Sequence, residues 1–362
     1  MINIRKAVMA DKADFRRIWD KCFEDSDKFS TWLFDTRFVP EYSLCLEQDG
    51  KIAAVLQLLP MFLRIRGRAV PSAMLMGVST DPDYGGRGYM KRLMAYLMEH
   101  TAEKGIYVIA NTPARLNTYY FAGHYPVSDI DFIEGRTDRT VKAEGVRLGG
   151  DIAAVRGRLF ELYTDFAKDY SAVAYRSYAD FMLKAEDYLA DNGLLAIHET
   201  DGVIDGYSFF YDTEELLYAE ETVAENERAF NEIVKFIAAF GDNKAYKIKT
   251  PAQGNYGIPH NVMGVASVTG LLKCLNIQSG ICVKIHDALV KENNGVFALN
   301  GGAGGKEYAL ETEIQYFTQL ITGYRSIEEL IADGAVTVRD EKMCRDIGRL
   351  LPKQKTFIFD EY

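Results

Sequence analysis

Cysteine is scarce in this 362-residue chain, and what there is does not cluster. Cys22, Cys45, Cys274, Cys282 and Cys344 are odd in number and far apart. That pattern excludes a disulfide framework and predicts a reducing, cytoplasmic compartment. Histidine is just as sparse, with five residues, and no Cys/His group has the spacing of a zinc site; no metal is expected. Long apolar runs are missing too. The longest charge-free stretch, Thr250–Leu272, is interrupted by Pro251, Gln253, Asn255, Pro259 and Asn261, which predicts no membrane span. The opening Met1-Ile-Asn-Ile-Arg-Lys6 carries charge where a secretory leader needs an apolar core. Nor is there a basic excess: 42 Lys and Arg against 52 Asp and Glu give a formal charge of −10, which argues against a nucleic-acid partner.

What the chain has is a globular composition, 48% apolar and 26% charged, with length for two or three domains of roughly 100–200 residues. Strand-like runs at 2–8, 44–47, 52–59, 73–79 and 106–110 alternate with helical periodicity from about Asp11 and from about Tyr89. The pattern predicts a mixed α/β unit over 1–140. A second unit, 141–262, has the same alternation: helices near 153–166, 178–189 and 227–239, and strands at 194–199, 206–211, 217–223 and 245–250. The order echoes the first unit and points to an internal duplication. The remainder, 263–362, reads as a hairpin (281–289 with 296–300), a strand at 308–315, two short helices and a terminal strand at 356–359. The capping box Ser326-x-x-Glu329 opens the first of those helices. Acidity concentrates in the middle unit, with 12 basic and 21 acidic side chains, and Glu214, Glu215, Glu220, Glu221, Glu225 and Glu227 close together. They read either as a solvated face or as an attractor for a polyamine.

The segment that carries chemistry is Val78-Ser-Thr-Asp-Pro-Asp-Tyr-Gly-Gly-Arg-Gly-Tyr-Met90. A strand feeds a loop with Gly85, Gly86 and Gly88, and the loop opens a helix whose apolar face is Met90, Leu93, Met94, Leu97 and Met98. Unpaired N–H groups at a helix start, with the positive end of the helix dipole, suit a pyrophosphate. Arg87 can add a charged contact.

This stretch resembles the coenzyme A loop of the GNAT acyltransferase superfamily, Arg/Gln-x-x-Gly-x-Gly/Ala after a bulged strand and an acidic-Pro turn. Gly88 matches the first glycine; Gly85 stands at the Arg/Gln position and Met90 at the final small one. Tyr119-Tyr-Phe-Ala-Gly123-His, after Asn111-Thr-Pro, resembles the family's Tyr-x-x-x-Gly-aromatic element, whose tyrosine sits beside the thioester sulfur. The layout of the whole chain is similar to the enhanced intracellular survival (Eis) acetyltransferases. The fold implied is α+β: two GNAT-like mixed-sheet units, the second degenerate, then a sterol-carrier-like α+β domain. The resemblance implies transfer of an acetyl group from acetyl-CoA to a primary amine of a cationic small molecule or a lysine. Loop residues Gly85, Gly86, Arg87, Gly88, Tyr89 and Met90 would hold the pyrophosphate, and Val78, Ser79, Thr80 and Asn111 the pantetheine arm. Tyr119 would be the general acid, and the terminal carboxylate, at Tyr362, part of the active site. A homo-oligomer, a hexamer in the best-known members, also follows from the resemblance.

Other features have plainer readings. Gly301-Gly-Ala-Gly-Gly-Lys306 lacks the Ser/Thr of a phosphate loop, and no helix pattern follows, so a hairpin tip is expected. His124 is either packing or a general base. Tyr120 reads as a core aromatic, and Trp19 and Trp32 as lining the core or an acceptor cleft. A function of another class, a non-catalytic carrier of a lipid or cationic ligand, is consistent with the last domain.

Overall fold

The computed structural model describes residues 2–252 and 257–361. The first stretch runs β1 (Ile2–Lys6), α1 (Lys12–Cys22), α2 (Asp27–Thr36), β2 (Ser43–Gln48), β3 (Lys51–Ile65), β4 (Arg68–Thr80), α3 (Tyr89–His100), β5 (Val108–Asn111) and β6 (Tyr125–Pro126). Helix α1 buries Phe15, Ile18 and Trp19, the i, i+3, i+4 face expected from the sequence. Helix α2, which the sequence reading lacks, starts where the Ser26 side chain accepts from Phe29 N–H at 3.1 Å, a standard N-cap. Trp32 is partly buried against the core, its ring stacked on Phe29. Helix α3 turns Leu93, Met94, Leu97 and Met98 inward, each at most 3% exposed, worth about 1.5–3 kcal/mol per side chain.

The next stretch adds β7 (Asp129–Arg136), β8 (Val146–Leu148), α4 (Arg156–Ala167), β9 (Val173–Ala174), α5 (Tyr178–Ala190), β10 (Leu194–Thr200), β11 (Val203–Asp212), β12 (Leu216–Ala224), α6 (Glu227–Ala239), β13 (Ala245–Pro251) and β14 (Ile258–Pro259). Seven of these strands form one sheet in the order β14-β7-β13-β12-β11-β10-β8. Here the acidic cluster divides: Glu214, Glu215, Glu225 and Glu227 are exposed, whereas Glu220 and Glu221 are buried. Glu221 is fully buried; the Arg176 guanidinium donates to both of its oxygens, at 2.8 and 3.1 Å. The hydroxyls of Tyr207 and Tyr188 donate to it as well. Glu220 is buried with Lys184 3.9 Å away, and Glu225 pairs with Arg158. Glu220, Glu221 and Glu225 thus already have cations, while Glu214, Glu215 and Glu227 keep to a solvated face.

The last stretch comprises β15 (Val262–Val265), α7 (Val268–Leu275), β16 (Cys282–His286), β17 (Gly295–Ala298), β18 (Leu310–Glu313), α8 (Ile314–Thr322), α9 (Ile327–Ala332), β19 (Val336–Val338) and α10 (Glu341–Leu350). Strand β15 does not begin a new sheet. It inserts between β5 and β6 of the first one, whose order is β1-β2-β3-β4-β5-β15-β6, while β9 pairs with β3. Two compact units result: Met1–Ser128, Ser171–Ala174 and Pro259–Tyr362 in one, Asp129–Tyr170 and Tyr175–Ile258 in the other. The units divide where the sheets do: β7 lies in the second sheet, and β9 and β15 in the first.

The terminal sheet has the order β17-β16-β18-β19. The glycine-rich run 301–306 is therefore no hairpin tip: it connects β17 to β18, which are not neighbours. It passes so close to β17 that a Cβ on Gly304 would lie 1.8 Å from the Val296 carbonyl oxygen. The expected strand 308–315 gives way to helix at Ile314, and the expected terminal strand is a single bridge from Thr356 to Ser171. Phe357, Ile358 and Phe359 are nonetheless fully buried.

Arg66, at the tip of the β3–β4 hairpin, ties this domain to the first sheet. Its guanidinium donates to the carbonyls of Leu320, Ile321 and Pro352 at 2.8–3.0 Å. Two of these end α8, so the cation meets the negative end of a helix; burial lowers its pKa to about 10. Arg66→Met leaves those carbonyls without a donor and is expected to remove about 2–3 kcal/mol, with Arg66→Lys intermediate. Thermal denaturation should show the order wild type, Lys, Met; equal melting points for all three would refute the clamp.

Candidate functional site

Strands β4 and β5 run parallel and pair only from Ser72–Met74 to Val108–Ala110. Beyond that β4 continues to Thr80, while β5 stops at Asn111. Among the described residues no strand covers that edge of β4, so its backbone N–H and C=O groups there are available to an extended ligand. The divergence has a local cause. Opposite β3, Met76 pairs with Gln57 but Ser79 pairs with Val55, so β4 holds one extra residue and bulges at Gly77–Val78. Gly77 has φ +60°, and a Cβ there would meet the Trp19 ring at 2.6 Å. Trp19, 6% exposed, is thus a core residue that shapes the bulge.

Past the bulge, Asp81 caps the turn Pro82–Tyr84 by accepting from Asp83 N–H. It is 2% exposed and receives Lys21 at 2.9 Å and the Arg17 guanidinium. Burial raises its pKa, but the two cations outweigh that and hold it near 2. The loop then reaches Gly86 and Gly88 at φ +74° and +73°, a Cβ on either of which meets nothing within 4 Å. Gly88 is the N-cap of α3 and supplies no side-chain cap; the first backbone bond of the helix is Arg92 N–H to Gly88 C=O. The preceding N–H groups of that turn have no helical acceptor. An open, exposed, uncapped helix start approached by a glycine-rich loop fits a pyrophosphate.

Two side chains flank it. Arg87 donates to the Gln48 carbonyl oxygen at 2.8 Å and lies over the Tyr84 ring. The Tyr89 hydroxyl donates to the same Gln48 oxygen. Ser79 donates to the Gly77 carbonyl within the bulge, and Thr80 ends β4.

Tyr119 sits in a 3-10 turn, Leu116–Ala122, and is 8% exposed. Its ring shares an apolar cluster with Leu93, Met94 and Leu97, against which Val78, Tyr84 and Met90 also pack. The bulge, the loop, α3 and Tyr119 therefore meet on one side of the sheet. The Tyr119 hydroxyl makes no hydrogen bond among the described residues, and burial pushes its pKa up to about 12. Tyr120 stacks on Tyr125 at 4.1 Å, as expected of a packing tyrosine. Its neighbour His124 is fully buried: Nδ1 lies 2.9 Å from Asn111 Oδ1, and Nε2 lies 3.4 Å from Met98 Sδ. Burial lowers its pKa to about 3. His124 is thus a neutral core group, and the Asn111 side-chain oxygen faces it.

Tyr362 lies outside the described residues. The preceding Glu361 meets His260 Nε2 at 2.6 Å. His260 leads into β15, whose first residue, Val262, pairs with Asn111 at the end of β5. Residue 361 therefore reaches the end of the sheet where β4 and β5 part. The sequence reading had neither Gln48 nor His260. Gln48 precedes a recognisable Asp49-Gly50 turn, but no pattern tells that its amide meets the loop.

Residues 3–126 match the family model of the acetyltransferase (GNAT) domain. The chain carries a GNAT acetyltransferase domain. Residues 271–358 match the sterol carrier protein domain. No curated protein matches the sequence. In fold the whole chain is similar to a GCN5-related N-acetyltransferase from Anabaena variabilis, at 18% identity and TM-score 0.81 over 100% of both chains. A conserved protein of unknown function from Enterococcus faecalis, a probable N-acyltransferase, aligns at 17% and 0.82, also over 100% of both. Eis1 from Mycobacterium abscessus aligns at 14% and 0.74, over 99% of this chain and 100% of its own. The chain is an acyltransferase of GNAT type, with two mixed-sheet units and a sterol-carrier-like terminal domain. Among the described residues no group of three or more His, Cys, Asp or Glu could hold a metal, and no helix is long and apolar enough to cross a membrane.

Proposed function

We propose that this GNAT acyltransferase moves an acetyl group from acetyl-CoA to a primary amine of a cationic acceptor: aminoglycoside-like, a polyamine or a lysine. The observation that carries the reading is the parting of β4 and β5 beside an uncapped α3 and a buried, unpartnered Tyr119. The N–H groups of Gly88, Tyr89 and Met90 and the Arg87 guanidinium hold the pyrophosphate. The free edge of β4 at Val78, Ser79 and Thr80 takes the pantetheine amides and polarises the thioester carbonyl. Asn111 contributes through its place at the end of β5. The neutral amine attacks the carbonyl carbon, the C–S bond breaks, Tyr119 gives its proton to the leaving thiolate, and the proton shed by the new amide nitrogen returns to Tyr119 through water. No covalent enzyme intermediate is needed. The carboxylate at Tyr362 holds the incoming amine. The compartment proposed is cytoplasmic, and the assembly a homo-oligomer.

The test is Gly88→Glu. It places a carboxylate where the pyrophosphate lies and a side chain at a left-handed backbone position. Acetyl-CoA should raise the wild-type melting temperature and leave the variant's unchanged, while the unliganded variant still unfolds cooperatively. Equal shifts in both proteins would remove the loop from the mechanism. Release of coenzyme A over a panel of amines then identifies the acceptor class.

A further inference from the structure

One contact beside the loop has no part in the chemistry above. The side-chain carbonyl of Gln48, the last residue of β2, accepts from two donors at once: the Arg87 guanidinium, at 2.8 Å, and the Tyr89 hydroxyl. Arg87 belongs to the loop and is exposed; Tyr89 is the first residue of α3 and 4% exposed. One neutral oxygen thus joins the charged side chain of the loop to the start of the helix. Around it the backbone has little to fix it: Gly86 and Gly88 face open space, and the helix lacks a side-chain cap. The Gln48 end is anchored by two strands, since residue 48 pairs with Ile2 on one side and Lys51 on the other. Arg87 is further confined by the Tyr84 ring, 5.2 Å from its guanidinium carbon.

We propose that Gln48 is a positioning residue for the acyl donor: its amide holds Arg87 and the first turn of α3 in place for the pyrophosphate, and its neutrality leaves the Arg87 charge for the phosphates. The inference rests on the coenzyme A reading of the loop. An amide accepts a hydrogen bond from a guanidinium without neutralising it, so the cation keeps its pull on a dianionic diphosphate. A carboxylate at the same position would form an ion pair with Arg87 and repel the phosphates.

Two variants separate orientation from charge. Gln48→Leu removes the acceptor and should raise the KM for acetyl-CoA about 3- to 10-fold, with kcat within about twofold. Gln48→Glu keeps an acceptor but adds charge, and should raise KM by about 10- to 100-fold at low salt. Added salt should narrow its gap to wild type, because screening acts over about 8–10 Å. With S-acetylpantetheine, which lacks the diphosphate, both variants should match wild type. In an Arg87→Ala background, Gln48→Leu should have a smaller effect than in the native protein, since the two side chains act as one unit. A general loss of hairpin stability would lower the melting point and raise KM equally for both thioesters, and that result overturns the proposal. So does a wild-type KM in both variants. If acetyl-CoA fails to stabilise even the wild-type protein, the coenzyme A reading falls and this inference with it; a wild-type shift retained in Gln48→Glu sinks the inference alone.

Discussion

Replacing Tyr119 by Phe should lower kcat by about 10²–10⁴-fold, the range of a positioned acid, with the affinity for acetyl-CoA nearly unchanged. The ring contributes to the cluster under α3, and Phe keeps that ring, so stability should hold and the loss be chemical. The hydroxyl has no protein partner among the described residues, and burial has moved its pKa up to about 12. The sign matters for the pH profile. A raised tyrosine pKa keeps the proton on the oxygen throughout the neutral and mildly alkaline range. Tyr119 can therefore donate at any pH where the amine is free to attack, and it should impose no basic limb on kcat below about pH 10. Tyr120→Phe provides the control: its ring stacks on Tyr125, and its loss of an oxygen should change turnover little. Similar losses in the two variants would show that the acid is another group.

The sequence made some of this legible and hid the rest for identifiable reasons. Helix α6 runs Glu227–Ala239 as read, because Asn226 caps it and its apolar positions recur with helical period. The loop and α3 were legible because glycine and a clean apolar face leave few alternatives. Strand β15 was not. Its four residues sit in an uncharged stretch without marked alternation, and they pair with β5 and β6, elements more than a hundred residues earlier. A pairing so remote leaves no local trace. Glu220 and Glu221 misled in another way: counted as charge they belong on the surface, but buried Arg176 and Lys184 and two tyrosine hydroxyls draw them inside. His124 was open between base and packing until its burial settled it as packing. Gly301–Lys306 showed its glycines, but only the close approach to Val296 explains them.

The second large effect is expected at the carboxy-terminal segment. Chain ends ordinarily fray, yet Phe357, Ile358 and Phe359 are fully buried, with the two phenylalanine rings edge to face at 4.6 Å. Truncating such a side chain typically removes about 3–5 kcal/mol, so Phe359→Ala should lower the melting temperature clearly. This anchoring gives the end of the chain a fixed direction. Glu361 meets His260 beside the first residues of β15, at the end of the sheet where β4 and β5 part. In the proposed mechanism the carboxylate at Tyr362 meets an amine presented to the thioester. A free α-carboxylate has a pKa of about 3.3–3.7, too low for an efficient base at neutral pH, but it can hold and orient the amine directly or through water. Appending a few residues after Tyr362, or deleting it, should therefore abolish acetyl transfer while acetyl-CoA still stabilises the protein. Phe359→Ala should instead lower stability and transfer together. The same extension placed at the amino terminus should have no effect. Full activity in the carboxy-terminally extended protein would remove the carboxylate from the mechanism. With His124 buried and neutral, holding the amine would then fall to water at the open edge of β4.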